Sequence, residues 1–595
     1  MDEASGTIAR PRELVIVSVA GLLLALLMTW PLAAGLPHLG RTLGTDADGQ
    51  YSIWNVAWVA RAIVADPADL FDANIFFPHK TTLAYSEANL VEGIIGILPW
   101  WLSRNPWLTL NLVMLAGFTS AYVGAWLLLR HVSGDRGAAA AAAILYAFCP
   151  YVMSHLSHIQ LLFTGGIPVA LLLVMRLAEE AAASPGAVSA PVASAPVASA
   201  PVASAPVASA PVASAFRRKL LLRGVALGAA IAVQGLACAY YGIFAGLMTG
   251  YAALVLAATR RLWTSRAYWM ALGIGAATAI LVIAPFFAQY LRVSEETSFV
   301  RSLDDAARYS ARIWDYLGSA SRAHAWLLGI ARSAGSLRDV LFPGMLAIVL
   351  GVAGLVLALR RGGTSQRTRD GAVVGASLGL IALWASFGPS AGLYRVLYYL
   401  PAFSFLRAPS RFGLIVVLAL AVLASIALAR LFAALPARRR PLAAAIACAL
   451  AVADITVIPI RWYRAPEIPA PYRILAGSPR GVVAEFPFYG ERSAFPLHAQ
   501  YMLFSTSHWM PLVNGYSDVI PLDFREAAAV LDGFPSRDTF PVLARRRVRY
   551  IGIHWDMFVG RQEEIRQRLQ PFLPYLRVLA ADDRMTLYEI VRFPG

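Results

Sequence analysis

The chain has 595 residues, of which 58% are hydrophobic and only 14% charged, with a formal net charge of +16. A soluble domain carries about 25% charged residues, so this composition excludes an ordinary soluble enzyme. The positive charge would suit a nucleic-acid partner, but it is almost entirely arginine gathered in short loops between long apolar runs. That placement excludes nucleic-acid binding and fits the cytoplasmic ends of membrane helices.

The first apolar run, "LVIVSVAGLLLALLMTWPLAAGL" from Leu14, is too long for a signal-peptide core and shows no convincing cleavage site. It reads as a retained helix. Further runs of about 20 residues, enough to cross a hydrocarbon core, follow in order. Spans are predicted near 14–36, 108–130, 137–152, 160–178, 221–238, 240–258, 268–290, 340–360, 371–390, 412–433 and 441–460. With the N-terminus cytoplasmic, clusters such as Arg130/Arg136, Arg217–Lys219, Arg260/Arg261 and Arg438–Arg440 all fall inside. Residues 37–107, 291–339 and everything after 461 then lie outside. The fold class is a polytopic α-helical membrane protein with about eleven spans and a small C-terminal α/β domain.

Within the first outer loop, "LGTDADGQYSIWN" (43–55) places Asp46 and Asp48 one residue apart. In extended backbone they would point the same way and could grip one divalent cation, Mg or Mn. Alternatively, Asp48 caps the helix beginning "GQYSIWNVAWVARAI" and Asp46 is merely solvated. Tyr51, Trp54, Asn55, Trp58 and Ala62 share one stripe of that helix, which predicts a helix lying in the interface with its aromatics among the headgroups. Residues 69–90 add His79, Lys80, Tyr85 and Glu87 to the same loop. The segment 89–103, short and interrupted by Pro99, reads as re-entrant or interfacial.

Further along, "FCPYVMSHLSHIQ" (148–160) puts His155 and His158 three apart, a spacing that shares one helical face. The five "PVASA" copies that end at Ala215 make 184–215 a flexible linker, since proline every fifth residue forbids a helix. Arg407 and Arg411 in "FSFLRAPSRFG" (403–413) stand at the outer mouth of a span, against the inside-only pattern, with Pro409 implying a turn between them. Cys149, Cys238 and Cys448 lie in or at apolar helices, so no disulfide framework is expected. Domains are read as 1–460 and 461–595. In the second, "GVVAEFPF", "VRYIGIHW" and "TLYEIV" read as strands and 521–534 and 560–572 as helices. "STSHWMPLVNGYSD" (505–518) is unusually rich in His, Trp, Asn and Tyr for a connection.

A helix, a long outer loop holding "TDAD", more helices and then "FCPYVMSHLSHIQ" resemble the GT-C superfamily of membrane glycosyltransferases. That superfamily includes protein O-mannosyltransferases and the lipid A aminoarabinose transferase, and the look is nearest to bacterial members without an assigned substrate. The resemblance covers mainly 14–180 and continues loosely to 403–413; no oligosaccharyltransferase-like motif and no acceptor signature is present. It implies transfer of a sugar from a polyprenyl-phosphate carrier to a glycan, lipid or protein acceptor, with inversion, at the outer face of a bacterial cytoplasmic membrane. An acidic residue of the first outer loop would be base or metal ligand, which maps onto Asp46 and Asp48. Glu87, His155, His158, Arg407 and Arg411 are the substrate-binding candidates, the arginines for the leaving phosphate. Two other classes stay open: a transporter or flippase of a lipid-linked saccharide, for which Asp454 is the main intramembrane charge, and a noncatalytic scaffold.

Overall fold

A computed structural model describes residues 10–40, 46–183, 210–297, 301–360, 364–400, 403 and 406–594. Among them, eight helices are long and apolar enough to cross a membrane: Pro11–Met28, Pro106–Ser133, Arg136–Ser154, Ile159–Ala182, Arg218–Ala237, Ala239–Thr259, Arg266–Thr297 and Pro409–Ala433. The protein is a multi-pass membrane protein. The other three expected spans are also helical, at Met345–Leu359, Gln366–Ser386 and Arg440–Ile455, but each is shorter or less apolar than those eight. The first helix stops at Met28 rather than near 36, with the chain turning through Thr29, Trp30 and Pro31.

The linker expected over 184–215 lies outside the described residues as far as 209. Its last copy is helical instead, because a helix runs from Ala210 to Ala237. Pro211 sits in the first turn, where a proline removes no intrahelical hydrogen bond.

The first outer loop builds two helices, α1 (Ala47–Ala65) and α2 (Leu90–Ser103). They pack closely because Gly93 faces Val59; a Cβ at Gly93 would come within 2.2 Å of the valine methyl. Ile94, Ile95, Leu98 and Leu102 line the opposite, exposed face of α2, as a short membrane-facing helix requires.

The expectation that the α1 aromatics lie among headgroups is overturned. Trp54, Asn55, Trp58 and Ala62 are buried, and what buries Trp58 is the C-terminal region. Trp509 packs edge-on against both Trp58 and Trp100, with centroids 5.6 Å away in each case. A stripe of aromatics meets a protein core as readily as a lipid interface, and the sequence does not distinguish them.

A four-stranded sheet in the order β1-β2-β4-β3 forms the C-terminal domain. Here β1 (Val482–Phe486) runs parallel to β2 (Val548–His554), while β4 (Met585–Ile590) is antiparallel to both β2 and β3 (Leu576–Ala581). The parallel pair is joined through helices that include Leu522–Leu531 and Thr539–Arg545. The strand β3 escapes sequence reading because its residues, largely exposed at the sheet edge, show no clean alternation.

The sheet is fused to the first outer loop through backbone. Val483 donates to Pro511 and accepts from Val513. Leu512 then donates to Asn74 at 2.9 Å, and Phe77 donates to Leu512 at 2.8 Å. Gly515 leaves room for Phe76, since a Cβ there would lie 2.7 Å from the ring. The side chain of Asn74 completes the junction by accepting from Trp54 Nε1 and donating to Ser505 and Met510. Burial of so many aromatic side chains, worth roughly 1.5–3 kcal/mol each, makes one core of two segments more than 400 residues apart in sequence.

Candidate functional site

The first outer loop, the turn after residue 154, the 406–411 segment and residues 516–518 converge on one place. Asp46 is the N-cap of α1: its Oδ1 accepts from the Gly49 amide at 3.0 Å, and its Oδ2 accepts from Ser157 Oγ at 2.7 Å. Both oxygens are committed to protein. The cap is therefore Asp46, not Asp48. Asp48 stands in the first turn, where the helix N-terminus favours negative charge, and faces two other partners. Its Oδ2 lies 3.3 Å from His158 Nε2, and its Oδ1 accepts from the Tyr516 hydroxyl at 3.2 Å. The hydrogen bond with His158 holds the Asp48 carboxyl below its ordinary range, against the upward push of burial.

Asp46 and Asp48 thus hold separate partners, on the adjacent residues Ser157 and His158. No set of three His, Cys, Asp or Glu side chains comes together as metal ligands among the described residues.

His155 and His158 do lie close, with ring centroids 6.0 Å apart. The helix expected to present them ends at Ser154, however, and a turn carries them instead. His155 is tied inward: Nδ1 lies 2.8 Å from the Tyr151 carbonyl and Nε2 3.8 Å from Asp339. Burial lowers its pKa. Of the two, His158 is the one paired with an acidic residue of the first outer loop.

On the other side, Pro409–Phe412 forms a short 3₁₀ turn before the helix Gly413–Ala433, as Pro409 suggests. The Arg407 guanidinium lies 3.0 Å from Asp518 Oδ1, and its backbone amide donates to the Tyr240 hydroxyl at 2.8 Å. Arg411 stacks over the Tyr240 ring at 3.9 Å, a cation–π contact. The Asp518 Oδ2 accepts from Ser86 at 3.0 Å and lies 3.4 Å from Arg301. Burial would raise the Asp518 pKa, but Arg407 and Arg301 outweigh it and hold the carboxyl ionised.

Beside this cluster opens a cavity of about 350 Å³. Its body is apolar, walled by Leu236, Ile243, Ile283, Phe286 and Phe287, and its polar end is formed by Ser86, Glu87, Asn89, Arg301 and Asp518. Glu87 Oε2 and Asn89 Oδ1 are sealed from solvent without a hydrogen-bond partner. Burial pushes the Glu87 carboxyl up to about 7, with Arg411 opposing.

Tyr516, Asp518, Ser157, Arg301 and Tyr240 belong to this place without having been singled out from sequence. Tyr516 and Asp518 do fall inside the unusual 505–518 segment. The front of that segment is structural: His508 stacks on Tyr472, and Asn514 exchanges hydrogen bonds with the Glu485 backbone. Arg301 gives no signal, being one of several arginines between 291 and 339. Lys80 and His79 pair with Asp72 and Asp523 at the periphery. The three cysteines are free.

No family model matches the sequence, and no curated protein matches it. Among solved structures, the chain is similar to the Archaeoglobus fulgidus oligosaccharyltransferase crystallised with Zn and sulfate, at 14% identity and a TM-score of 0.48, over 97% of this chain and 72% of that one. A structure of the oligosaccharyltransferase AglB from the same organism, with an inhibitory peptide and a dolichol-phosphate, is 14% identical with a TM-score of 0.43, over 94% and 71%. ArnT from Cupriavidus metallidurans bound to undecaprenyl phosphate is 15% identical with a TM-score of 0.38, over 97% of both chains.

Proposed function

We propose that this chain is an integral membrane glycosyltransferase that moves a sugar from a polyprenyl-phosphate carrier to an acceptor hydroxyl at the outer face of a bacterial cytoplasmic membrane. The observation that carries the reading is the joining of two unlike places by one short segment. Tyr516 reaches the Asp48–His158 pair, and Asp518, two residues on, reaches the arginines beside an apolar cavity. A lipid-linked phosphate needs an apolar channel ending in cationic charge, and the transfer needs a proton acceptor nearby.

The acceptor oxygen attacks the anomeric carbon as the bond from that carbon to the phosphate oxygen breaks. The electron pair leaves with the phosphate, which Arg407 and Arg411 receive. Asp48 orients His158 through Nε2, so that Nδ1 takes the acceptor's proton, the role a carboxylate plays toward an imidazole in other acid–base pairs. Asp46 fixes the helix end that presents Asp48. Attack from the face opposite the leaving phosphate would invert the anomeric centre. No step is routed through a cation.

The same reading keeps eleven spans, a cytoplasmic N-terminus, a membrane domain over 1–460 and an outer domain over 461–595. The transporter alternative loses its main residue: Asp454 is bonded to His324 at 2.8 Å and accepts from the Leu346 amide, pinning helix ends rather than lining a path.

Transfer from polyprenyl-linked sugars in reconstituted membranes tests the proposal. His158→Gln is expected to retain carrier binding and lose transfer by about 10²–10⁴-fold, the usual contribution of a positioned base. Arg407→Gln is expected to weaken carrier binding. Full transfer by both variants would remove the site from the chemistry, and a C-terminal reporter found inside the cell would overturn the topology.

A further inference from the structure

The Asp518 carboxylate occupies a seat that an anionic ligand would otherwise take. Three donors converge on its two oxygens: Arg407 on Oδ1, Arg301 and Ser86 on Oδ2. Asp518 and Arg301 both line the polar end of the cavity, and Arg411 lies within electrostatic reach of Asp518. One unit of the positive charge gathered there is therefore already matched by the protein itself.

We propose that Asp518 sets how much negative charge the site accepts, selecting a donor linked through a single phosphate over one linked through a diphosphate. The inference rests on the reading of this place as the phosphate end of a lipid-carrier site. A sugar phosphodiester carries one negative charge, which Arg407 and Arg411 face from beside the Asp518 carboxylate. A diphosphate brings at least one charge more to this partly buried place and meets a fixed carboxylate. Unmatched charge in such surroundings is strongly disfavoured, and like-charge juxtaposition is the usual means of rejecting a wrong ligand. The carboxylate thus acts on specificity, while the arginines act on affinity.

The experiment is equilibrium binding of a polyprenyl-phosphate hexose and a polyprenyl-diphosphate hexose of equal chain length to the purified full chain, at one pH and salt concentration. Wild type is expected to prefer the monophosphate. Asp518→Asn is expected to shift the ratio toward the diphosphate by about tenfold, the order expected for one charge removed at close range in partly screened surroundings. A folded Asp518→Asn protein with an unchanged ratio overturns the inference and leaves the glycosyltransferase reading standing. Should that variant fail to fold, Ser86→Asp adds a carboxylate at the same seat and is expected to sharpen the monophosphate preference; an unchanged ratio there overturns the inference equally. Wild type binding neither lipid, or binding unaffected by Arg407→Gln, would instead remove the carrier site on which the inference rests.

Discussion

Tyr516 donates a hydrogen bond to Asp48 across 468 residues of sequence, at 3.2 Å. One end of that bond is in the first turn of the first outer-loop helix, and the other is in the loop that follows β1 of the C-terminal sheet. The contact ties the domain most distant in sequence to the carboxylate nearest the proposed proton transfer.

Removing that bond tests its role. Tyr516→Phe is expected to fold normally, since a single partly exposed hydrogen bond contributes about 0.5–1.5 kcal/mol. The His158 hydrogen bond is the largest cause of the low Asp48 pKa, and the Tyr516 hydroxyl adds to it, so its loss raises the Asp48 pKa. More acid is then no longer needed to protonate Asp48, and the acid limb of the pH–activity profile moves to higher pH. A profile identical to wild type would show that Tyr516 does not act on Asp48.

The two aspartates are expected to separate cleanly. Asp46→Asn keeps the cap, because Asn and Asp cap almost equally well, whereas Asp46→Ala costs about 1 kcal/mol. Both variants should retain most transfer activity. Asp48→Asn leaves the cap intact and removes the charge that orients His158, so it should lose transfer while its melting temperature stays near wild type. Equal loss in Asp46→Asn and Asp48→Asn would reinstate the paired carboxylates as one functional unit.

Trp509 is the wedge between the sheet and the outer-loop helices. Trp509→Ala should destabilise this junction by about 3–5 kcal/mol, the usual result of emptying a buried aromatic site. Limited proteolysis is the check, with new cleavage expected between residues 465 and 520. Protection equal to wild type would mean the junction is held mainly by the backbone pairing of 74–77 with 512–514.

The C-terminal domain should weaken in mild acid. Burial depresses His498 and His508 to about 4 each, against about 6.5 in an unfolded chain. Between those values the unfolded chain binds more protons than the folded one, so stability falls as pH drops from about 6.5 toward 4. Hydrogen exchange in residues 482–514 measured across that interval is the check. His498→Gln should flatten the slope, and an unaltered slope would assign the acid response to other groups.

Much of this protein is written locally. Long apolar runs fix helices wherever they occur, because a backbone in lipid must satisfy its own hydrogen bonds, and each of the eleven expected spans contains a helix, eight of them long and apolar enough to cross a membrane. Short apolar, β-branched and aromatic segments mark β1, β2 and β4 as strands, and Pro409 marks its turn. The tertiary structure alone decided the rest. Asp46 and Asp48 look equivalent in "TDAD", yet a helix start one residue after Asp46 sends their carboxylates to different partners. Trp58 looks like a headgroup anchor until Trp509, some 450 residues later, packs against it. Asp518 carries no local sign of its role, since what makes it matter is the convergence of Ser86, Arg301 and Arg407 from three separate segments. Periodicity reports only which face of an element is apolar; what that face meets depends on contacts between residues that sequence spacing does not relate.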